Sequence, residues 1–86
     1  MAEAAARVVL ASADCSQYTG GAKEFDIPAR TLLDVIRALD ARYPGLGGHL
    51  EEETSVAIDG EIHEVAYYHA LRPGCEIYFI PKIEGG

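Results

Sequence analysis

Positive charge is what this sequence has least of. Its 86 residues carry seven Lys and Arg against fourteen Asp and Glu, a formal net charge of −7. The cations Arg7, Lys23, Arg30, Arg37, Arg42, Arg72 and Lys82 stand singly and form no patch. Such a chain repels nucleic-acid phosphate and anionic lipid, so neither a nucleic acid nor a membrane is expected as a partner. Cysteine is also scarce: Cys15 and Cys75 are too few to staple a secreted domain of this size. The amino-terminal MAEAAAR lacks the basic and apolar regions of a signal peptide. Apolar runs such as residues 77–80 fall far short of a membrane span. Together these absences predict a cytoplasmic protein.

Catalytic machinery is missing as well. His49, His63 and His69 show no metal-ligand spacing, so no metal is expected. There is no phosphate-binding Gly-Lys-Ser/Thr loop and no nucleophile elbow, and Thr19-Gly20-Gly21 alone is a turn. The chain therefore reads as a non-catalytic protein with no bound cofactor. At 9.3 kDa it has room for one domain and none for a two-domain cleft.

What is present is ordinary globular material, 49% hydrophobic and 24% charged. Residues 1–6 read as a flexible amino terminus. Residues 7–13 carry the β-branched run of a first strand, 14–21 a loop, and 23–27 the alternation of a half-buried second strand. Thr31 and Asp34 fit a capping box. After it, Leu32, Val35, Ile36, Leu39 and Tyr43 recur on one helical face, and Pro44-Gly45 stops the helix. Gly47-Gly48 predicts an irregular stretch before Glu51-Glu52-Glu53, which reads as a solvated face or a docking patch for a basic surface. Two strand-like runs then flank Asp59-Gly60, the strongest short hairpin signal. Tyr67, Tyr68 and His69 fall in a turn or loop. Residues 75–80 form a last strand, expected to be central and buried on both faces, which Pro81 ends. Cys75 reads as a small buried strand residue, whereas Cys15, in a loop, is expected to be exposed.

Strand, strand, helix, strand, strand, strand is not a doubly wound order. It predicts an α+β fold: a mixed five-stranded sheet packed on one main helix, with the last strand parallel to the first. That is a β-grasp arrangement, a single domain over residues 7–80. Residues 81–86 form an extended functional carboxyl-terminal tail.

The tail carries the chemistry. Six residues from Pro81 to Gly86 span at most about 20 Å, enough to thread another protein's active site. Gly85 and Gly86 have no Cβ, so their backbone can enter a channel closed to side chains. The reactive group is the α-carboxylate of Gly86. With a reference pKa of about 3.3–3.7 it is ionised at neutral pH, and inert to nucleophiles until joined to a leaving group such as AMP.

Three stretches carry a resemblance: Tyr18-Thr19-Gly20-Gly21, Ala41-Arg42-Tyr43-Pro44-Gly45-Leu46, and Tyr78-Phe79-Ile80-Pro81-Lys82-Ile83-Glu84-Gly85-Gly86. With the topology, they make the chain from Arg7 to Gly86 resemble the MoaD/ThiS sulfur-carrier family. The resemblance implies a ubiquitin-like β-grasp whose Gly86 is adenylated by an E1-like adenylyltransferase of the MoeB/ThiF kind, which uses ATP and Mg²⁺. The adenylate then becomes a thiocarboxylate, and its sulfur passes to a biosynthetic enzyme. Gly85 is the required small neighbour. Glu84, Ile83, Lys82 and Pro81 make up the tail, and Ile80 and Phe79 the partner interface. Extra length over residues 46–54 favours a MoaD-like small subunit of molybdopterin synthase, whose large subunit would accept the sulfur. Asp14-Cys15-Ser16-Gln17 replaces the arginine and leucine common in the first loop of MoaD proteins. Carriers for cysteine or thiazole synthesis and ubiquitin-like protein modifiers are the alternatives.

Overall fold

A computed structural model of the chain describes residues 5–64 and 70–82. Five strands form one sheet: β1 (Ala6–Leu10), β2 (Glu24–Ile27), β3 (Thr54–Ile58), β4 (Glu61–Glu64) and β5 (Glu76–Pro81). Their order is β2-β1-β5-β3-β4, with β5 in the centre. β1 pairs antiparallel with β2 and parallel with β5, while β3 pairs antiparallel with both β4 and β5. This is the β-grasp arrangement that the element order predicts.

The main helix, α2 (Leu32–Arg42), begins where the capping box places it. Thr31 Oγ1 accepts the Asp34 N–H at 3.4 Å, and the Asp34 carboxylate accepts the N–H groups of Thr31 and Arg30 at 3.2 and 3.1 Å. Donors that a helix start leaves open are thereby satisfied. These backbone donors stabilise the ionised carboxylate and lower the Asp34 pKa. Leu32, Val35, Ile36 and Leu39 form the buried stripe of α2 and join Val8, Leu10, Val56, Ile77 and Phe79 in a single core. At the β3–β4 turn, Asp59 and Gly60 take φ of 49° and 88°, the left-handed pair that a tight two-residue hairpin needs.

Three expectations are corrected. First, residues 14–21 are not a bare loop. A 3₁₀ turn (Ala13–Cys15) leads into a one-turn helix, α1 (Ser16–Thr19), which Gly20 ends at φ 68°. The turn points Cys15 inward, where it is 1% exposed.

Second, the stretch around Gly47-Gly48 is helical: α3 spans Leu46–Glu53. Its first donors are met from outside, because Asp40 Oδ1 accepts the N–H groups of Gly45 and Gly47 at 3.1 and 3.0 Å. Leu46 and Leu50, four residues apart, anchor it in the core. Gly47 permits close contact rather than irregularity, since a Cβ there would lie 3.0 Å from the Asp40 Cβ.

Third, β5 is central but is buried on one face only. Ile77 and Phe79 are fully buried, while Glu76 is exposed and Tyr78 is 39% exposed. Among the described residues, no helix is long and apolar enough to cross a membrane.

Candidate functional site

The candidate site is the carboxyl end of β5, where the sheet hands the chain to its last residues. Support fades there in steps. On the β1 side the register runs to Leu10 opposite Phe79, and the Ala11 N–H still donates to the Phe79 carbonyl at 2.8 Å. On the β3 side pairing reaches one rung further than Ile80, to Thr54 opposite Pro81. Thr54 is also the C-cap of α3, and its hydroxyl donates to the Leu50 carbonyl. Beyond that rung the Lys82 N–H donates to the Glu53 carbonyl at 3.2 Å, and Lys82 Nζ reaches the Glu52 carbonyl at 3.5 Å. The strand end therefore rests against the end of a helix.

Of the residues singled out in the sequence, Pro81 and Lys82 are exposed and Ile80 is half-buried. Ile83, Glu84, Gly85 and Gly86 lie outside the described residues, as do Tyr67, Tyr68 and His69. Phe79 needs correcting. Successive strand residues face opposite sides, and Phe79 takes the core side with 0% exposure, so its side chain cannot meet a partner. Tyr78 takes the open side in its place.

Strand register builds a row around Tyr78. Val9 stands opposite Glu24 on one side and Tyr78 on the other, and Ala57 stands opposite both Tyr78 and Ile62. One band thus crosses all five strands, with three apolar or aromatic positions and an Ile62 that is 61% exposed. Charge frames it: Arg7 pairs with Glu24, and Asp26 and Glu76, opposite Arg7 on its two neighbouring strands, are exposed. The sequence carried the signal for this band, since Glu76 and Tyr78 alternate with Ile77 and Phe79.

Cys15 and Cys75 are buried and free, and burial is the main cause that raises both thiol pKa values, with Asp14 and Asp59 adding to it. His49 packs its ring against Tyr18, centroids 5.3 Å apart, and its Nε2 is buried without a hydrogen-bond partner. His63 Nε2 lies 3.7 Å from Glu61. Among the described residues no three His, Cys, Asp or Glu side chains come together in a way that could hold a metal ion. An open cleft of about 530 Å³ between α2 and α3 is lined by Arg37, Asp40, Glu51 and apolar or glycine residues.

Comparison with known proteins supports the fold. The model of the ThiS family matches residues 12–86. A search of the curated proteins gives no match. By structure, the chain is similar to CysO from Mycobacterium tuberculosis, with a TM-score of 0.73 at 20% identity over 88% of this chain and 99% of that one. It is similar to a chain of the BexX/CysO complex from Amycolatopsis orientalis, with a TM-score of 0.72 at 22% identity over 92% and 99%. It is also similar to small archaeal modifier protein 1 from Methanosarcina acetivorans, with a TM-score of 0.73 at 21% identity over 98% of both chains.

Proposed function

The chain belongs to the ThiS family, and from that premise we propose that it is a sulfur carrier whose working group is the α-carboxylate of Gly86. In the first step a carboxylate oxygen attacks the α-phosphorus of ATP in an activating enzyme of the E1-like, MoeB/ThiF kind. Pyrophosphate leaves and an acyl-adenylate forms. In the second, a hydrosulfide-equivalent sulfur attacks the acyl carbon, AMP leaves, and a thiocarboxylate remains. A biosynthetic enzyme then accepts that sulfur. ATP and Mg²⁺ act in the activating enzyme, and the carrier itself contributes no catalytic residue.

One observation carries the reading: the family match runs to Gly86, and residues 82–86 follow the central strand of the sheet in sequence. Gly85 keeps the last peptide narrow. The net charge of −7 favours docking on a basic enzyme surface. The band through Val9, Tyr78 and Ile62 supplies apolar contact next to the strand that leads to the tail. On this reading Ile80, on the same strand, and the tail residue Ile83 would also contact a partner.

The finer reading, a MoaD-like subunit that supplies sulfur for molybdopterin, rests on the length of residues 46–54. Carriers for cysteine or thiazole synthesis would use the same adenylate and thiocarboxylate, and those alternatives fit equally well. Conjugation to protein lysines starts from the same adenylate too, and it is told apart by high-mass adducts with a Gly-Gly remnant.

The test is pyrophosphate exchange. With the cognate activating enzyme and ATP, the intact chain supports exchange of labelled pyrophosphate into ATP, and a chain lacking Gly86 supports none. Equal exchange from both chains would refute the proposal.

A further inference from the structure

Lys82 grips two consecutive carbonyls at the carboxyl end of α3. Its backbone N–H donates to Glu53 at 3.2 Å and its Nζ to Glu52 at 3.5 Å. This grip falls where the sheet has nothing left to offer. β1 holds β5 no further than the bond from Ala11 to the Phe79 carbonyl. Pro81 has no N–H to give, and its partner Thr54 is already the first residue of β3. At Lys82 the chain is therefore held by a helix end rather than by another strand.

That helix end suits an ammonium group. The last carbonyls of a helix lack intrahelical donors and carry the negative pole of its dipole. Here Glu51, Glu52 and Glu53 add three carboxylates at the pole where negative charge is least favourable. α3 has no basic residue in its own last turn. Lys82, from thirty residues along the chain, brings the positive charge that this end lacks.

We propose that Lys82 is a positioning residue: by holding α3 at two points it fixes the strand end at Pro81 and Lys82, the root to which the tail is joined. Its importance for activation rests on the carrier function proposed above. A main-chain bond alone is a single point about which the chain can swing, and the ammonium adds a second. The four residues that follow span at most about 14 Å, too little to correct a misdirected root. Loss of the grip dilutes the binding-competent direction. That raises the apparent dissociation constant and leaves the chemistry after binding unaltered.

The experiment uses the full-length chain as wild type, Lys82→Met and Lys82→Arg. Amide hydrogen exchange at Lys82 is measured in the free protein, and KM and kcat for pyrophosphate exchange are measured with the activating enzyme. Lys82→Met is expected to speed exchange of its own amide and to raise KM by about three- to tenfold with kcat unchanged. Lys82→Arg is expected to restore both, and all three proteins should melt at similar temperatures. Unchanged amide exchange in Lys82→Met would overturn the proposal. If KM nonetheless rose, Lys82 would be a direct partner contact instead. A fall in kcat at unchanged KM would overturn it as well. A wild-type chain that supports no pyrophosphate exchange would refute the carrier function, and with it the part of Lys82 in activation, while the amide rates would still show whether the grip exists.

Discussion

Thr54 and Pro81 stand opposite each other on the last rung between β3 and β5. Thr54 is 2% exposed and closes α3, whereas Pro81 is exposed and closes the sheet. One rung therefore joins the end of a helix, the start of one strand and the end of the central strand. The segment proposed to carry sulfur begins at this rung.

Neighbouring residues on β5 should separate stability from binding. Phe79→Ala removes a fully buried ring and is expected to cost about 3–5 kcal/mol in urea or thermal unfolding. Tyr78→Glu, on the open face, is expected to change stability by less than about 1 kcal/mol. It should nonetheless weaken binding to the activating enzyme at least tenfold in a titration. Unchanged binding by Tyr78→Glu and Ile62→Glu together would remove the open face from the interface.

The α2 cap gives a pH prediction with a definite sign. The Asp34 carboxyl has a lowered pKa because the N–H groups of Arg30 and Thr31 hold its ionised form. A depressed carboxylate adds stability above its unfolded value, about 3.9, and loses it as the pH falls through the folded value. Asp34→Asn should therefore melt below wild type at pH 6, and the gap should close as the pH drops below about 3.9. Thr31→Ala should cost about 1 kcal/mol at neutral pH through the lost cap. A gap that widened toward acid would contradict the assignment.

Both thiols should be slow in the native protein. Burial raises the pKa of Cys15 and of Cys75, which leaves little thiolate at pH 8. A thiol reagent such as Ellman's should react slowly with the folded chain and rapidly with two thiols in urea. A raised thiol pKa also means that stability from the neutral thiols is present below the unfolded value of about 8.5 and is lost as the pH rises through the folded ones. Rapid labelling of Cys15 in the folded state would show that the 3₁₀ turn opens readily.

Local patterns foretold the elements that local chemistry decides. Thr31 with Asp34 marked the helix start, Asp59-Gly60 the hairpin, and the spacing of Leu32, Val35, Ile36 and Leu39 the buried face. The element order then left little room for another sheet. What escaped depends on contacts distant in sequence. Gly47 reads as a helix breaker until Asp40 arrives to accept its N–H and to fill the space a side chain would need. Cys15 reads as exposed until the 3₁₀ turn rotates it inward. The apolar run 77–80 reads as doubly buried, yet only its Ile77 and Phe79 side meets the core. The contact of Lys82 with the end of α3 spans thirty residues and leaves no mark in either segment alone.

The central claim is that sulfur is carried on the α-carboxylate of Gly86. Its most direct test is the intact mass of the chain after incubation with the activating enzyme, ATP, Mg²⁺ and a sulfur donor. The account predicts that one oxygen is replaced by one sulfur, that the change maps to Gly86, and that it is absent without ATP. An unchanged mass, with the enzyme shown to be active on pyrophosphate exchange, would contradict it.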